Sequence, residues 1–247
     1  MNVAPRPVLY SLRPSHYCAC IERALALKGI RFDTVEVPYH DKRRLLRDTH
    51  QDYAPAMRHG HRIVAWEDLP RYVERLAPAP TLYPPGRAAL AETLENWGHE
   101  VLEARVWPAV VTEIGAQFRD PVEAWVFEEM QSRTRGSFDS LRARRAELDA
   151  AVMPHFERID RMLVGREYLL DQPSLADCGV YGGLWPWLLA RGSAPARFGR
   201  LNRWIARVQG WGTAGDPPGR GGPDGRRRST APVGRRRGGT PRGAPRR

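Results

Sequence analysis

Cysteine is scarce in this sequence. The three present, Cys18, Cys20 and Cys178, are too few for a disulfide framework and do not have zinc-ribbon spacing, so no metal is expected. Cys18-Ala19-Cys20 has one intervening residue where a redox pair has two, and on a helix the two side chains point about 200° apart. Reduced, structural thiols are the expectation for Cys20 and Cys178. Long apolar runs are also missing: none approaches the roughly 18 residues that span a bilayer, which excludes a membrane-crossing helix. "MNVAPRPVLY" has no basic stretch leading into a long apolar one, so no secretory signal is expected and the location is read as cytoplasmic.

Acidic residues are outnumbered, 28 to 39, giving a net charge of +11. That excess does not mark the body as a nucleic-acid binder. Thr213–Arg247 holds ten arginines against Asp216 and Asp224, so this segment carries +8 and the rest of the chain is nearly balanced. "GRRRSTAPVGRRRGGTPRGAPRR" has no aromatic residue and almost nothing large and apolar, and is read as a disordered tail over 212–247. Nucleic acid is a partner only if this arm binds it.

What is present divides the chain in two. "PVLYSL" is a β-rich run, and in "SHYCACIERALALKGI" the residues Ile21, Ala24, Leu25 and Leu27 recur at helical spacing before Gly29. "RFDTVEVPY" alternates as a second strand, so the three together make a βαβ unit. A basic helical segment at 41–48 follows, then a hairpin in "YAPAMRHGHRIVA" and a helix in "LPRYVERL". Residues 1–80 are thus expected to form a four-stranded α/β domain. The Pro-dense "APAPTLYPPG" supplies a linker, taken as 81–86, and strand alternation then disappears. Helical spacing predicts helices near 87–106, 121–132, 138–164, 175–190 and 199–209, an all-α domain over 87–211.

The clearest helix start is Ser174-Leu175-Ala176-Asp177. It reads as a capping box with Asp in the usual Glu place. In "MLVGREYLLDQPSLADCGVYG", the residues Leu163, Gly165, Arg166, Tyr168, Leu169, Pro173, Ser174, Ala176 and Asp177 together resemble the signature of the glutathione S-transferase family. "ARFGRLNRWIARV" and "LYPPG" are similar to that family's closing helix and its linker. The resemblance covers residues 7 to about 210. It implies a thioredoxin-like N-terminal domain, an all-helical C-terminal domain, a homodimer, and conjugation of the glutathione thiolate to a small hydrophobic electrophile.

It also implies site residues. Ala54-Pro55 corresponds to the family's cis-proline dipeptide, whose backbone pairs with the cysteinyl part of glutathione. Ser15 falls where related enzymes carry a catalytic Ser or Cys, just before the first helix. A hydroxyl donor and helix amides there would hold the thiolate of bound glutathione, which is the nucleophile. Tyr10 lies inside an apolar run and is read as core, and His16 as exposed. The family's acidic-Ser pair for the γ-glutamyl group is altered: without a gap it falls on Ala65-Trp66, and with a two-residue deletion on Glu67-Asp68. The gapped version suits Pro70 in the first helical turn, keeps an acid for the ammonium group, and lets Asp68 cap the helix. Trp97, His99, Trp107 and Phe118 fall where the family forms its hydrophobic pocket, though aromatic residues at helical spacing are read first as core. Two other functions fit the same pattern: a noncatalytic binding or scaffold protein, which the altered pair favours, and a thiol reductase using Cys18, which Ser15 in the leading position opposes.

Overall fold

The computed structural model describes residues 5–212, and the basic tail read from the sequence lies outside them. The first half runs β1 (Val8–Ser11), α1 (His16–Leu27), β2 (Asp33–Glu36), α2 (Arg43–Thr49), β3 (Ala56–His59), β4 (Arg62–Val64) and α3 (Leu69–Leu76). β1 pairs parallel with β2 and antiparallel with β3, which pairs antiparallel with β4, giving the order β2-β1-β3-β4. The parallel pair needs a long crossover, which α1 provides. The β3–β4 hairpin needs only a tight turn, where Gly60 adopts a φ of 61°. This is the thioredoxin-like arrangement expected.

Period-two alternation sends the strand side chains to two cores. Leu9 and its partner Met57 join Ile21 and Leu25 of α1 and Leu69 and Val73 of α3. Tyr10 and its partner Ala56 face the opposite side, with Val37 and Leu45 of α2. The Tyr10 hydroxyl donates to Asp48 Oδ2 at 3.0 Å, so Tyr10 is a core residue on the far side of the sheet from α1, as read.

The second half is helical. α4 (Ala88–Asn96) continues through a π-helical turn, Trp97–Leu102, into α5 (Glu103–Gly115), with helical backbone at both junctions. The sequence reading ended this helix near 106; it runs on because Val106, Trp107, Val110, Val111 and Ile114 keep one face buried. α6 (Pro121–Arg135) follows, its N-terminus capped by Asp120, which accepts from the Val122 amide at 2.9 Å. The segment read as one helix over 138–164 is two, α7 (Phe138–Ala143) and α8 (Arg145–Met162). The break falls at Arg144, whose φ and ψ of −97° and 11° leave the helical region. α9 (Leu175–Arg191) is buried along nearly its whole length against α1, α4 and α5, and α10 (Gly199–Gln209) closes the fold. Among the described residues no helix is long and apolar enough to cross a membrane.

Glycines set how close α9 comes. A Cβ on Gly182 would lie 2.6 Å from the His16 carbonyl oxygen, and one on Gly179 would lie 2.5 Å from Glu95 Cα. A Cβ on Gly183 would overlap the Gly98 carbonyl oxygen. Three helix backbones are therefore in near contact, and none can yield by a rotamer change. By helix propensity alone Gly183→Ala would gain about 1 kcal/mol. We expect instead a net loss of about 2–3 kcal/mol in denaturant unfolding, because overpacking here acts on main chain; an unchanged or raised midpoint would refute the close approach.

The linker is fixed at both ends. Glu74 of α3 accepts from the Lys28 ammonium, the Thr81 hydroxyl at 2.7 Å and the Leu82 amide at 2.9 Å. The Leu82 carbonyl accepts from the Leu175 amide at 2.9 Å, and the Leu82 side chain is fully buried. Leu9, Ile21 and Met57 belong to the same continuous core as Leu102, Val110 and Val180. The two halves thus share one hydrophobic core.

Candidate functional site

Ser15 stands just before α1 with extended backbone, φ −70° and ψ 124°, and its Oγ accepts from the Cys18 amide at 3.3 Å. It is therefore a helix N-cap, satisfying one of the orphan donors at that end. Cys18, one turn on, is fully enclosed; burial pushes its thiol up to about 11, against the pull of the Ser15 hydroxyl and the Leu12 amide. Such a thiol is not a ready nucleophile.

Along the junction of the two halves runs a cleft of about 350 Å³. Tyr17, Cys20 and Ile21 of α1 line it together with Pro55, Trp66, Glu67, Pro70 and Arg71. The helical half contributes Tyr83, Glu92, Glu95, Asn96, His99, Glu100 and Leu175. The cleft is rich in carboxylates. Its one arginine, Arg71, is paired with Glu92 and lies over the Tyr83 ring at 4.0 Å.

Aromatic rings pave the end of the cleft beside α1. Tyr17 stacks at a tilt on Trp66 (centroids 4.8 Å apart), on His99 (4.3 Å) and on His16 (4.1 Å). The Tyr17 hydroxyl donates to Glu100 Oε1 at 3.0 Å; partial burial and that carboxylate push its ionisation well above the usual range. His16 was read as exposed and is not. Gly182 lets α9 close over its backbone, and its side chain is only 17% exposed, with Nδ1 3.8 Å from Glu103 Oε1. Burial, His99 and Arg135 hold the imidazole down to about 3, so it is neutral at ordinary pH.

Of the residues inferred from the sequence, the structure brings Pro55 and Glu67 to the cleft. The Ala54-Pro55 peptide is cis. Glu67 lies in a short 3₁₀ turn, Trp66–Asp68, that leads into α3. Asp68 is exposed; it occupies the cap position of α3 but makes no side-chain cap bond, because that turn supplies backbone donors and acceptors instead. Ser15 sits two residues from Tyr17, half-buried at the helix end. His99 reaches the cleft, but Trp107 and Phe118 do not: both pack around Phe127, at 6.1 and 4.9 Å between centroids. Trp97 stacks on His155 at 5.9 Å. Tyr17, Trp66, Glu95 and Glu100 were not singled out from the sequence as site residues. The alternative gapless register, which put Trp66 at the family's serine position, was the signal for one of them.

The capping box forms as read. Asp177 is fully buried and accepts from the Leu169 amide (3.0 Å), the Ser174 amide and hydroxyl (both 3.1 Å) and Trp204 Nε1 (2.8 Å). It ties the 163–174 turn and α10 to the start of α9, the helix that backs the cleft.

The sequence matches the model of the glutathione S-transferase N-terminal domain over residues 9–81. No curated protein sequence matches the chain. Solved structures do. Glutaredoxin 2 of Salmonella typhimurium, solved with glutathione, is 18% identical, with a TM-score of 0.68 over 83% of this chain and 95% of its own. A glutathione S-transferase of Ceriporiopsis subvermispora, also solved with glutathione, is 17% identical, with a TM-score of 0.71 over 86% of this chain and all of its own. The β-etherase LigF of Sphingobium is 18% identical, with a TM-score of 0.60 over 83% and 95%. Residues 9–81 therefore match a glutathione S-transferase N-terminal domain, and the two halves together have the fold of the glutathione S-transferase structures.

Proposed function

We propose that the cleft binds glutathione and that the protein transfers its thiolate to a small hydrophobic electrophile. The observation that carries this reading is the convergence of Pro55, Glu67 and the first turns of α1 on one cleft at the junction of the two halves. Support comes from two structures of the same fold that were solved with glutathione. The main chain of Ala54 would pair with the cysteinyl unit, and Glu67, which lines the cleft where Asp68 does not, would take the γ-glutamyl ammonium. Arg71 would accept a carboxylate, releasing Glu92. The glutathione sulfur would then lie against the N-terminus of α1, where the Ser15 hydroxyl and the helix amides favour the anion. The Tyr17–Trp66 face gives an electrophile an apolar wall.

A second reading, a noncatalytic binding protein, is favoured by Trp66 and by the excess of carboxylates. Glutathione carries two carboxylates and one ammonium, and Glu67, Glu92, Glu95 and Glu100 face it with one arginine already paired. Thiol reduction through Cys18 is opposed by that thiol's burial and raised pKa.

Calorimetric titration of glutathione, with conjugation of an aryl halide as the activity, separates these. Binding in the millimolar range or tighter is expected, and no heat at millimolar glutathione removes the transferase. Ser15→Ala should lower conjugation about 10- to 100-fold, the worth of one hydrogen bond to a charged sulfur. Unchanged turnover would leave an enzyme in which Ser15 is only a cap.

A further inference from the structure

The wall of the cleft formed by α1, α4 and the π-helical turn holds groups that the proposed transfer does not use. Cys20, Glu95 and His99 each offer one ligand atom, and these atoms lie within 4.8 Å of one another. The Cys20 residue is 1% exposed and the His99 side chain 3%. His99 Nε2 comes within 3.5 Å of Glu95 Oε1, the long limit of a hydrogen bond, while Nδ1 is buried with no hydrogen-bond partner. A buried imidazole so poorly satisfied, beside a carboxylate and a thiol, is costly unless something else completes the cluster.

The fold builds this cluster with some force. Glu95 and His99 are four residues apart, so they share a helix face. Cys20 reaches them because α9 presses on both helices at once, with Gly179 against Glu95 and Gly182 against the Cys20 main chain and Cβ.

We infer that Cys20, Glu95 and His99 form a binding site for a divalent transition-metal ion, best matched by zinc, with its fourth position open to the cleft. The donor set decides the class. A thiolate and an imidazole suit a borderline-soft cation and do not suit calcium or magnesium, which take oxygen. Three protein ligands with one open position is the pattern of a reactive rather than a purely structural zinc site. Ligand atoms around tetrahedral zinc lie roughly 3.5 Å apart, so the cluster closes by a side-chain movement of about 1 Å. On binding, the Cys20 S–H bond breaks, its proton passes to solvent, and the sulfur–metal bond forms. The thiolate and the Glu95 carboxylate balance the two positive charges, and no electron is transferred.

The open position faces the same cleft as Tyr17 and Glu100, so a thiol or carboxylate entering the cleft would complete the coordination. The site stands apart from the glutathione reading and is tested without glutathione. A tag-free full chain, stripped with EDTA and dialysed, is titrated with cobalt(II) as the spectroscopic probe and then with zinc as competitor. We expect one cobalt per chain, a near-ultraviolet thiolate-to-cobalt band with four-coordinate visible bands, and stoichiometric displacement by zinc. Cys20→Ser should abolish the thiolate band and weaken zinc binding about 100-fold or more, whereas Cys178→Ser leaves both intact. Should Cys20→Ser fail to fold, Glu95→Gln, which keeps the shape, should weaken zinc binding at least about 10-fold. Absence of stoichiometric binding to the wild-type chain, or binding unchanged in these variants, overturns the site. Glutathione calorimetry repeated in EDTA keeps the two proposals separately testable.

Discussion

Asp177→Ala should unfold this protein more readily than any other single truncation of a polar side chain described above. Its carboxylate is the common acceptor for the Leu169 amide, the Ser174 amide and hydroxyl, and the Trp204 indole N–H. All of these lie in the interior, so removing the acceptor strands four donors without water to replace it. Each buried donor left unpaired costs about 1–3 kcal/mol, and partial collapse recovers some of that. A loss of about 4 kcal/mol is expected, or roughly 10 °C in midpoint for a domain of this size. Asp177→Asn retains one acceptor oxygen and should fall between. The check is thermal and denaturant unfolding of both variants. A change below about 1 kcal/mol in the alanine variant would mean that the box is incidental.

The second large effect is a dependence of stability on pH that runs through His16. The native state keeps this imidazole neutral down to about pH 3, because it is buried beside His99 and Arg135. The unfolded chain binds the proton near the ordinary value of 6.5. Unfolding therefore takes up a proton across that window, so this contribution is complete above about pH 6.5 and is lost as the pH falls toward 3. From pH 7 to 4.5 the loss attributable to His16 is about 2–3 kcal/mol. Glu103, 3.8 Å away and with its own carboxyl raised by burial, moderates the loss while it remains charged. Asp177 acts in the opposite sense: burial pushes its carboxyl up to about 6, so its contribution declines as the pH rises from about 4 to 6. A difference measurement isolates His16. The stability gap between wild type and His16→Asn should narrow by about 2–3 kcal/mol between pH 7 and 4.5, and a gap that stays constant would show that His16 titrates normally in the native state.

The elements legible in the sequence were those whose signals are local. The βαβ order, the hairpin at Gly60, the Ser174–Asp177 box and the strand position of Tyr10 each rest on residues within one or two turns of one another. His16 was misread because its local signals are those of an open helix start. What buries it is Gly182, far along the chain, which lets α9 cross at main-chain contact. The same cause hid the cleft. Glu95 and His99 have readable helical spacing, but nothing near Cys20 says that they will meet it. Arg144 breaks a segment of unbroken helical propensity by leaving the helical region of φ and ψ, and no local residue signals it.

The π-helical turn at Trp97–Leu102 amounts to one residue inserted into an otherwise regular helix. Its effect is one of phase. Upstream, α4 presents Glu95 to the cleft; downstream, α5 presents Val106, Val110 and Ile114 to the core. Straightening this turn into a plain α-helix with every residue kept would turn everything beyond it by about 100° relative to α4. One of those two faces would then point the wrong way. The wide turn thus absorbs the phase of one extra residue, so that one continuous helix serves both the cleft and the core.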